Sequence, residues 1–235
     1  IWLNDIENLT HLVEQFGSRR GAQMIMLADW HPDIIEFIIS KMQNPRVLKW
    51  LTENSNDEVI REEAHKKLKF YPLSRTEKEM YEALVDNKST PAHIVDHARE
   101  KLIDGGKLEV LSPEFLSGAN ISVTLTSDFM QAVADDADYQ LRFPDLEVYT
   151  KEQKYDYDEK WHVIGDVREW EAMGYPIKVY RTVKARDIWD LISFCSTYSA
   201  EPGIFFIDNA NDKTNAKAYG QKVVATNPCG EQPVA

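Results

Sequence analysis

Three times along this chain a short apolar run gives way to a helix start. That alternation constrains the fold more than any other feature. Residues 22–28 (Ala-Gln-Met-Ile-Met-Leu-Ala) read as a buried strand. They lead to Trp30-His31-Pro32-Asp33, where a proline at the first helical position and an acidic residue suit the positive end of a helix. Residues 120–125 alternate as a strand does and run into Thr126-Ser127-Asp128, a helix cap ahead of Phe129, Met130 and Val133. Residues 177–180 form a third strand, followed by a helix over 185–199 with an apolar face at Ile188, Leu191, Ile192 and Cys195. Residues 204–207 are a further buried strand opening into the polar loop 208–212, and 223–225 are a last short one. Strands alternating with helices predict an α/β domain.

Two regions depart from that rhythm. Residues 1–16 predict an N-terminal amphipathic helix, with Trp2, Ile6, Leu9, Leu12, Val13 and Phe16 at helical spacing. From about 43 to 114 the chain becomes charge-rich and helical in short pieces, broken by Pro45, Pro72, Pro91 and Gly105-Gly106. This reads as a helical insertion with a solvated face. Residues 135–175 are acidic and aromatic and carry no clear period.

Charge narrows the function. With 27 Lys+Arg against 39 Asp+Glu the net charge is −12, which argues against a polynucleotide binder working through bulk charge. Small phosphate ligands stay open, since they need only a few local donors. No apolar run approaches the roughly 18–20 residues of a membrane span. The start, Ile1-Trp2-Leu3-Asn4-Asp5-Ile6-Glu7, is acidic where a secretion signal is basic. Two cysteines make no disulfide framework, so a reducing cytoplasm is the expectation.

The sharpest motif is Asn227-Pro228-Cys229-Gly230-Glu231. In an extended loop, period two would put Asn227, Cys229 and Glu231 on one side. A carboxylate can move a proton, an amide can orient hydroxyls, and sulfur can act as nucleophile or radical. Taken alone, a Cys near a Glu is more often structural. Gly17-Ser18-Arg19-Arg20-Gly21-Ala22-Gln23 offers backbone amides and two guanidiniums between glycines, which suits a phosphate or a base, although a plain basic turn has the same composition. Cys195 on an apolar stripe reads as core. His93 and His97 have ligand spacing but no catalytic Glu near them, and no metal site is expected. Hydrolysis through Cys229 would need a base close to the sulfur, and its nearest histidine in sequence is His162.

Taken in order, Gly17-Ser-Arg-Arg-Gly-Ala-Gln-Met, Trp30-His-Pro-Asp, Asn120-Ile-Ser-Val, Phe205-Phe-Ile-Asp-Asn and Asn227-Pro-Cys-Gly-Glu closely resemble the catalytic subunit of ribonucleotide reductase. The long charged insert looks most like the adenosylcobalamin-dependent class II branch. The resemblance runs from about residue 17 to 233. It implies part of a ten-stranded α/β barrel over residues 17–235, with a finger loop carrying the radical cysteine. It implies Cys229 as the thiyl radical, Glu231 as the acid/base group for the 3′ hydroxyl, and Asn227 as a hydrogen-bonding partner of the substrate hydroxyls. Ser18, Arg19, Arg20, Gly21, Ala22 and Gln23 match the specificity loop that couples a deoxynucleotide effector to the substrate base. The implied reaction is reduction of ribonucleotides to 2′-deoxyribonucleotides for DNA synthesis. Its partners are a ribonucleotide substrate, a deoxynucleotide effector and a thioredoxin-type reductant, and its cofactor is adenosylcobalamin. A homodimer is among the assemblies the family permits, and neither polynucleotide nor membrane is expected. The alternative is a non-catalytic nucleotide-binding or assembly fragment of a split reductase.

Three departures accompany the match. The family's redox pair of cysteines, one before the specificity loop and one after the finger loop, has no counterpart in Cys195. The substrate phosphate-binding segment and the C-terminal cysteine pair, both after the finger loop in the family, are likewise not matched. The chain is therefore expected to be an incomplete segment that does not turn over alone.

Overall fold

The computed structural model describes residues 2–15, 19–112 and 115–235, with the backbone alone for 2–4, 7, 11, 14–15 and 19–20. The chain divides into two compact units, Ile1–Met42 with Glu114–Ala235, and Gln43–Pro113.

The first unit begins with α1 (Trp2–Leu12), the paired dipeptides β1 (Glu14–Gln15) and β2 (Arg19–Arg20), β3 (Gln23–Ala28) and α2 (Ile34–Ile39). Helix α1 is thus shorter than its apolar period suggests, because Glu14 and Gln15 already pair with Arg20 and Arg19. Helix α2 buries Ile34, Ile35, Phe37, Ile38 and Ile39. Its N-cap is Asp33 rather than a residue before Pro32, and the Asp33 amide donates to His31 Nδ1 at 3.1 Å.

The second unit contains α3 (Pro45–Asn54), α4 (Glu58–Lys66), β4 (Leu68–Pro72), α5 (Arg75–Asp86), α6 (Ala92–Asp104) and β5 (Gly106–Val110). Its core is Val47, Leu48 and Leu51 of α3 with Ile60 and Ala64 of α4. The region is not wholly helical. Strands β4 and β5 pair antiparallel from Leu68↔Val110 to Pro72↔Gly106. Charged residues at Lys69, Lys107 and Glu109 hide their alternation, since most of β4 faces solvent.

The first unit resumes with β6 (Ala119–Leu125), α7 (Ser127–Ala134), β7 (Asp138–Pro144), α8 (Lys151–Ile164), α9 (Val167–Ala172), β8 (Ile177–Lys184), α10 (Ala185–Ser199), β9 (Gly203–Phe206), α11 (Ile207–Lys213), β10 (Ala225–Thr226) and β11 (Pro233–Val234). Its frame is a parallel sheet in the order β3-β6-β9. Residues 121–125 of β6 are all buried, as a central parallel strand covered on both faces must be. Gly203 is required beside it: a Cβ there would stand 2.6 Å from Ser122 Oγ. Helices α7 and α10 pack against each other and bury Phe129, Val133, Ile188, Leu191, Ile192 and Cys195.

The stretch with no clear period supplies β7, α8 and α9. Strand β7 pairs antiparallel with β8. A second core of aromatic rings sits here. Trp170 is fully buried, stacks on Tyr175 at 4.1 Å and donates from Nε1 to Tyr149 Oη at 2.7 Å. Among the described residues the sheets are this three-stranded parallel one and four antiparallel pairs, and no barrel closes. The chain is mixed α/β with a parallel sheet.

Candidate functional site

Strands β10 and β11 pair as Ala225↔Val234 and Thr226↔Pro233, so residues 227–232 close a hairpin loop. Asn227 pins it from both ends. Its amide N–H donates to Gln232 O at 3.1 Å, and its Oδ1 accepts from the Gln232 N–H at 2.9 Å. Its carbonyl accepts from the Gly230 N–H at 2.9 Å. Its Nδ2 donates to Glu231 Oε1 at 2.8 Å. Gly230 has φ +81°, the left-handed region that a side chain disfavours. That turn overturns the extended geometry expected from period two: Asn227 and Glu231 meet because the chain folds back between them. Cys229 lies between them in sequence and is exposed.

The loop is held to the sheet by neutral contacts. Asn120 Nδ2 donates to Pro228 O at 2.7 Å, and the buried Thr226 offers its N–H to Met26 Sδ at 3.3 Å. On the approach to β10, Asn211 of α11 grips both backbone groups of Val223, at 2.8 and 3.0 Å. Sequence reasoning did not single out Asn120, Met26 or Asn211 as contacts of this loop. The one available signal was Asn120 itself, a polar residue heading an apolar strand.

The arginine loop approaches the same edge. Ser18 lies outside the described residues. Arg19 and Arg20 pair through their backbones with Gln15 and Glu14, and the Gly21 N–H donates to Val13 O at 2.8 Å. Gly21 tolerates no side chain, since a Cβ would stand 2.6 Å from Thr10 O. Ala22 leads into β3, where Gln23 opposes Ala119 and Met24 opposes Asn120. The exit of the loop and the anchor of the hairpin are therefore strand neighbours at the amino edge of the sheet. Among the described residues, Gln23 Oε1 is buried there with no hydrogen-bond partner. A buried acceptor left without a donor is destabilising unless a ligand supplies one.

Ionic groups gather at other positions. At the amino edge Lys41 pairs with Glu201 and donates to Ala119 O at 2.5 Å, while the Ile121 N–H donates to Glu201 Oε1 at 3.0 Å. At the carboxyl edge Asp29 is fully buried. It accepts from the Thr126 N–H at 2.5 Å and from Tyr139 Oη at 2.9 Å. Burial drives its pKa up to about 7, against the pull of those donors. Arg168 binds Asp208 through both terminal nitrogens, at 2.7 and 2.8 Å, and also binds Asp166. The Arg168 bond holds the Asp208 carboxyl down to about 2. Asp208 in turn accepts from the Ser127 N–H opening α7. A cleft of about 360 Å³ opens beside it, lined by Ser127, Met130 and Phe206.

Among the described residues no group of three or more His, Cys, Asp or Glu could hold a metal ion. No described helix is long and apolar enough to cross a membrane.

Comparison with known proteins identifies a family and relatives that this chain resembles. A family model described as the ribonucleotide reductase barrel domain matches residues 2–235. A vitamin B12-dependent ribonucleoside-diphosphate reductase of Thermoplasma acidophilum is 25% identical over 225 residues, 96% of this chain and 16% of that protein. A vitamin B12-dependent ribonucleotide reductase of Bradyrhizobium diazoefficiens is 32% identical over 113 residues, 48% of this chain and 6% of the relative. One from Agrobacterium fabrum is 44% identical over 54 residues, 23% of this chain and 4% of its own length. The chain thus spans less than a fifth of the length of the curated relatives it matches.

Proposed function

The chain belongs to the family of the ribonucleotide reductase barrel domain, and from that premise we propose that it is a segment of a class II reductase that converts ribonucleotides to 2′-deoxyribonucleotides. The observation that carries this reading is the hairpin at 227–232, which presents Cys229 to solvent beside the hydrogen-bonded pair Asn227 and Glu231. The β3-β6-β9 sheet is then part of one half of the ten-stranded barrel, and the hairpin is its finger loop.

In this reading Cys229, as thiyl radical, removes the ribose 3′ hydrogen and becomes the thiol. Glu231 takes the 3′-hydroxyl proton, and the Asn227 amide fixes the direction of its carboxylate while binding substrate hydroxyls. Adenosylcobalamin, when bound, supplies the one-electron oxidation that no side chain achieves unaided. That cofactor brings its own metal ligands, so it asks for an accessible sulfur rather than a metal cage, and exposed Cys229 fits. The electrons that reduce the 2′ carbon come from a cysteine pair elsewhere in the reductase, since Cys195 is buried on α10. A thioredoxin-type protein reloads that pair, in a cytoplasmic enzyme that works as a homodimer. Arg19, Arg20 and Gln23 form the specificity loop between a deoxynucleotide effector and the substrate base. The unsatisfied Gln23 Oε1 supports this, because a base amino group could serve it.

The test is Cys229→Ser in the complete reductase. Deoxynucleotide formation with adenosylcobalamin should fall by at least about 10³-fold while nucleotide binding persists. Retained reduction would sink the assignment of Cys229.

A further inference from the structure

The reactive cysteine of this reading sits on an exposed turn, yet a radical that must meet one ribose hydrogen needs a fixed position. The hairpin's own bonds fix its shape, not its place on the sheet. Among the described residues two contacts from the sheet reach residues 226–232: Thr226 on Met26 at the stem, and Asn120 on Pro228 near the tip. The second matters more for the sulfur. Pro228 O belongs to the peptide group whose nitrogen is that of Cys229, so a bond to that oxygen fixes the plane from which the cysteine projects.

Asn120 is itself gripped on both sides. Lys41 donates to the carbonyl of Ala119, and Glu201 accepts from the amide of Ile121. The two gripping side chains are ion-paired to each other, with 12% and 22% of their side-chain surfaces exposed. The ion pair closes around a residue that reaches the cysteine peptide. We propose that Asn120 is a positioning residue for Cys229, with Lys41 and Glu201 setting the strand edge from which it reaches. The proposal rests on the reading of Cys229 as the reactive group.

The same contact ties the two motifs together. Asn120 opposes Met24, the residue after Gln23, in the β3–β6 register. A shift of the arginine loop that moves the start of β3 reaches the hairpin through Asn120 near its tip and through Met26 of β3 at its stem.

The experiment compares Asn120→Asp, which keeps the shape but replaces the donor by a carboxylate facing a carbonyl, with Asn120→Gln, which keeps a donor amide. Asn120 is exposed, so neither change disturbs the core. In the 235-residue chain, hydrogen exchange of the amides at 229–232 should accelerate severalfold in Asn120→Asp and less in Asn120→Gln. In the complete reductase, kcat should fall roughly tenfold in Asn120→Asp with substrate KM within about twofold, and Asn120→Gln should recover part of the loss. Unchanged exchange in Asn120→Asp overturns the anchoring contact. Faster exchange with unchanged kcat overturns the positioning role. A raised KM with kcat intact overturns it too, since it would make Asn120 a substrate contact. Failure of the functional reading shows separately, as activity surviving Cys229→Ser, and leaves the exchange result standing.

Discussion

The carboxyl edge of the parallel sheet and the hairpin attached at its amino edge are built on opposite principles. At the carboxyl edge, charges are buried or half-buried and multiply bonded: Asp29 takes two donors, and Arg168 binds two carboxylates. At the amino edge, the hairpin is exposed, internally closed, and attached by a neutral amide and a thioether. The first arrangement is stiff, because every partner lost leaves a desolvated charge. The second can be reshaped with little loss of stability, as a loop that meets substrate must be. Stability should therefore respond to substitutions at one edge and activity to substitutions at the other.

The largest break in that pattern should come from Arg168→Met. It removes the cation that bridges Asp166 and Asp208, leaving among the described residues only Lys222 at 4.0 Å from Asp166, and thermal or urea unfolding should show a loss of about 2–3 kcal/mol. A loss under about 0.5 kcal/mol would mean that the network is surface decoration. Asp29→Asn should be smaller and dependent on pH. Asp29 has a folded pKa raised to about 7 from 3.8, so the native state holds its proton more tightly than the unfolded chain does. Its contribution is fully present below about pH 4 and is lost as pH rises through 7. The wild-type melting temperature should accordingly fall between pH 4 and 7 relative to the Asn variant, with the two closest at the acid end. Parallel curves would remove the buried carboxyl from the stability argument. The smallest effect on stability should be that of Glu231→Gln, within about 0.5 kcal/mol by urea unfolding. In the complete reductase the same change should still lower kcat by roughly 10²-fold.

The fold was legible where local chemistry and tertiary position agree. Thr126 caps α7 by accepting from the Phe129 N–H, as its place before the apolar stripe suggests, and α10 spans Ala185–Ser199 as its period requires. Strand β6 stood out by its alternation, although the structure buries residues on both of its faces. It was illegible where tertiary contacts override composition. Residues 208–212 are poor helix formers and read as loop, yet α11 covers Ile207–Lys213. There Asp208 is held by Arg168 and Asn211 by Val223, partners distant or offset in sequence. Strand β7 hid among acidic and aromatic residues because its partner β8 follows two helices later. At the candidate site, the motif puts Asn227, Cys229 and Glu231 in one loop, but the geometry of that loop turns on Gly230, whose positive φ the extended reading leaves out. Asn120 escaped notice as a contact because its partner is a backbone carbonyl, and any residue has one.

Strands β3 and β6 lie side by side although the whole Gln43–Pro113 unit intervenes between them. This has a kinetic meaning. Closing so long a loop is slow, while its entropy grows only with the logarithm of length, about 0.6 kcal/mol per doubling. The Leu68↔Val110 ladder can form first and shorten the span that remains. The 227–232 hairpin needs no such wait, since Ala225 and Val234 are near neighbours in the chain. The hairpin can therefore exist before the sheet does, but it acquires its hold on Asn120 only when the crossover closes. A chain refolding from the denatured state would carry a shaped cysteine turn with nowhere to point until that crossover closes.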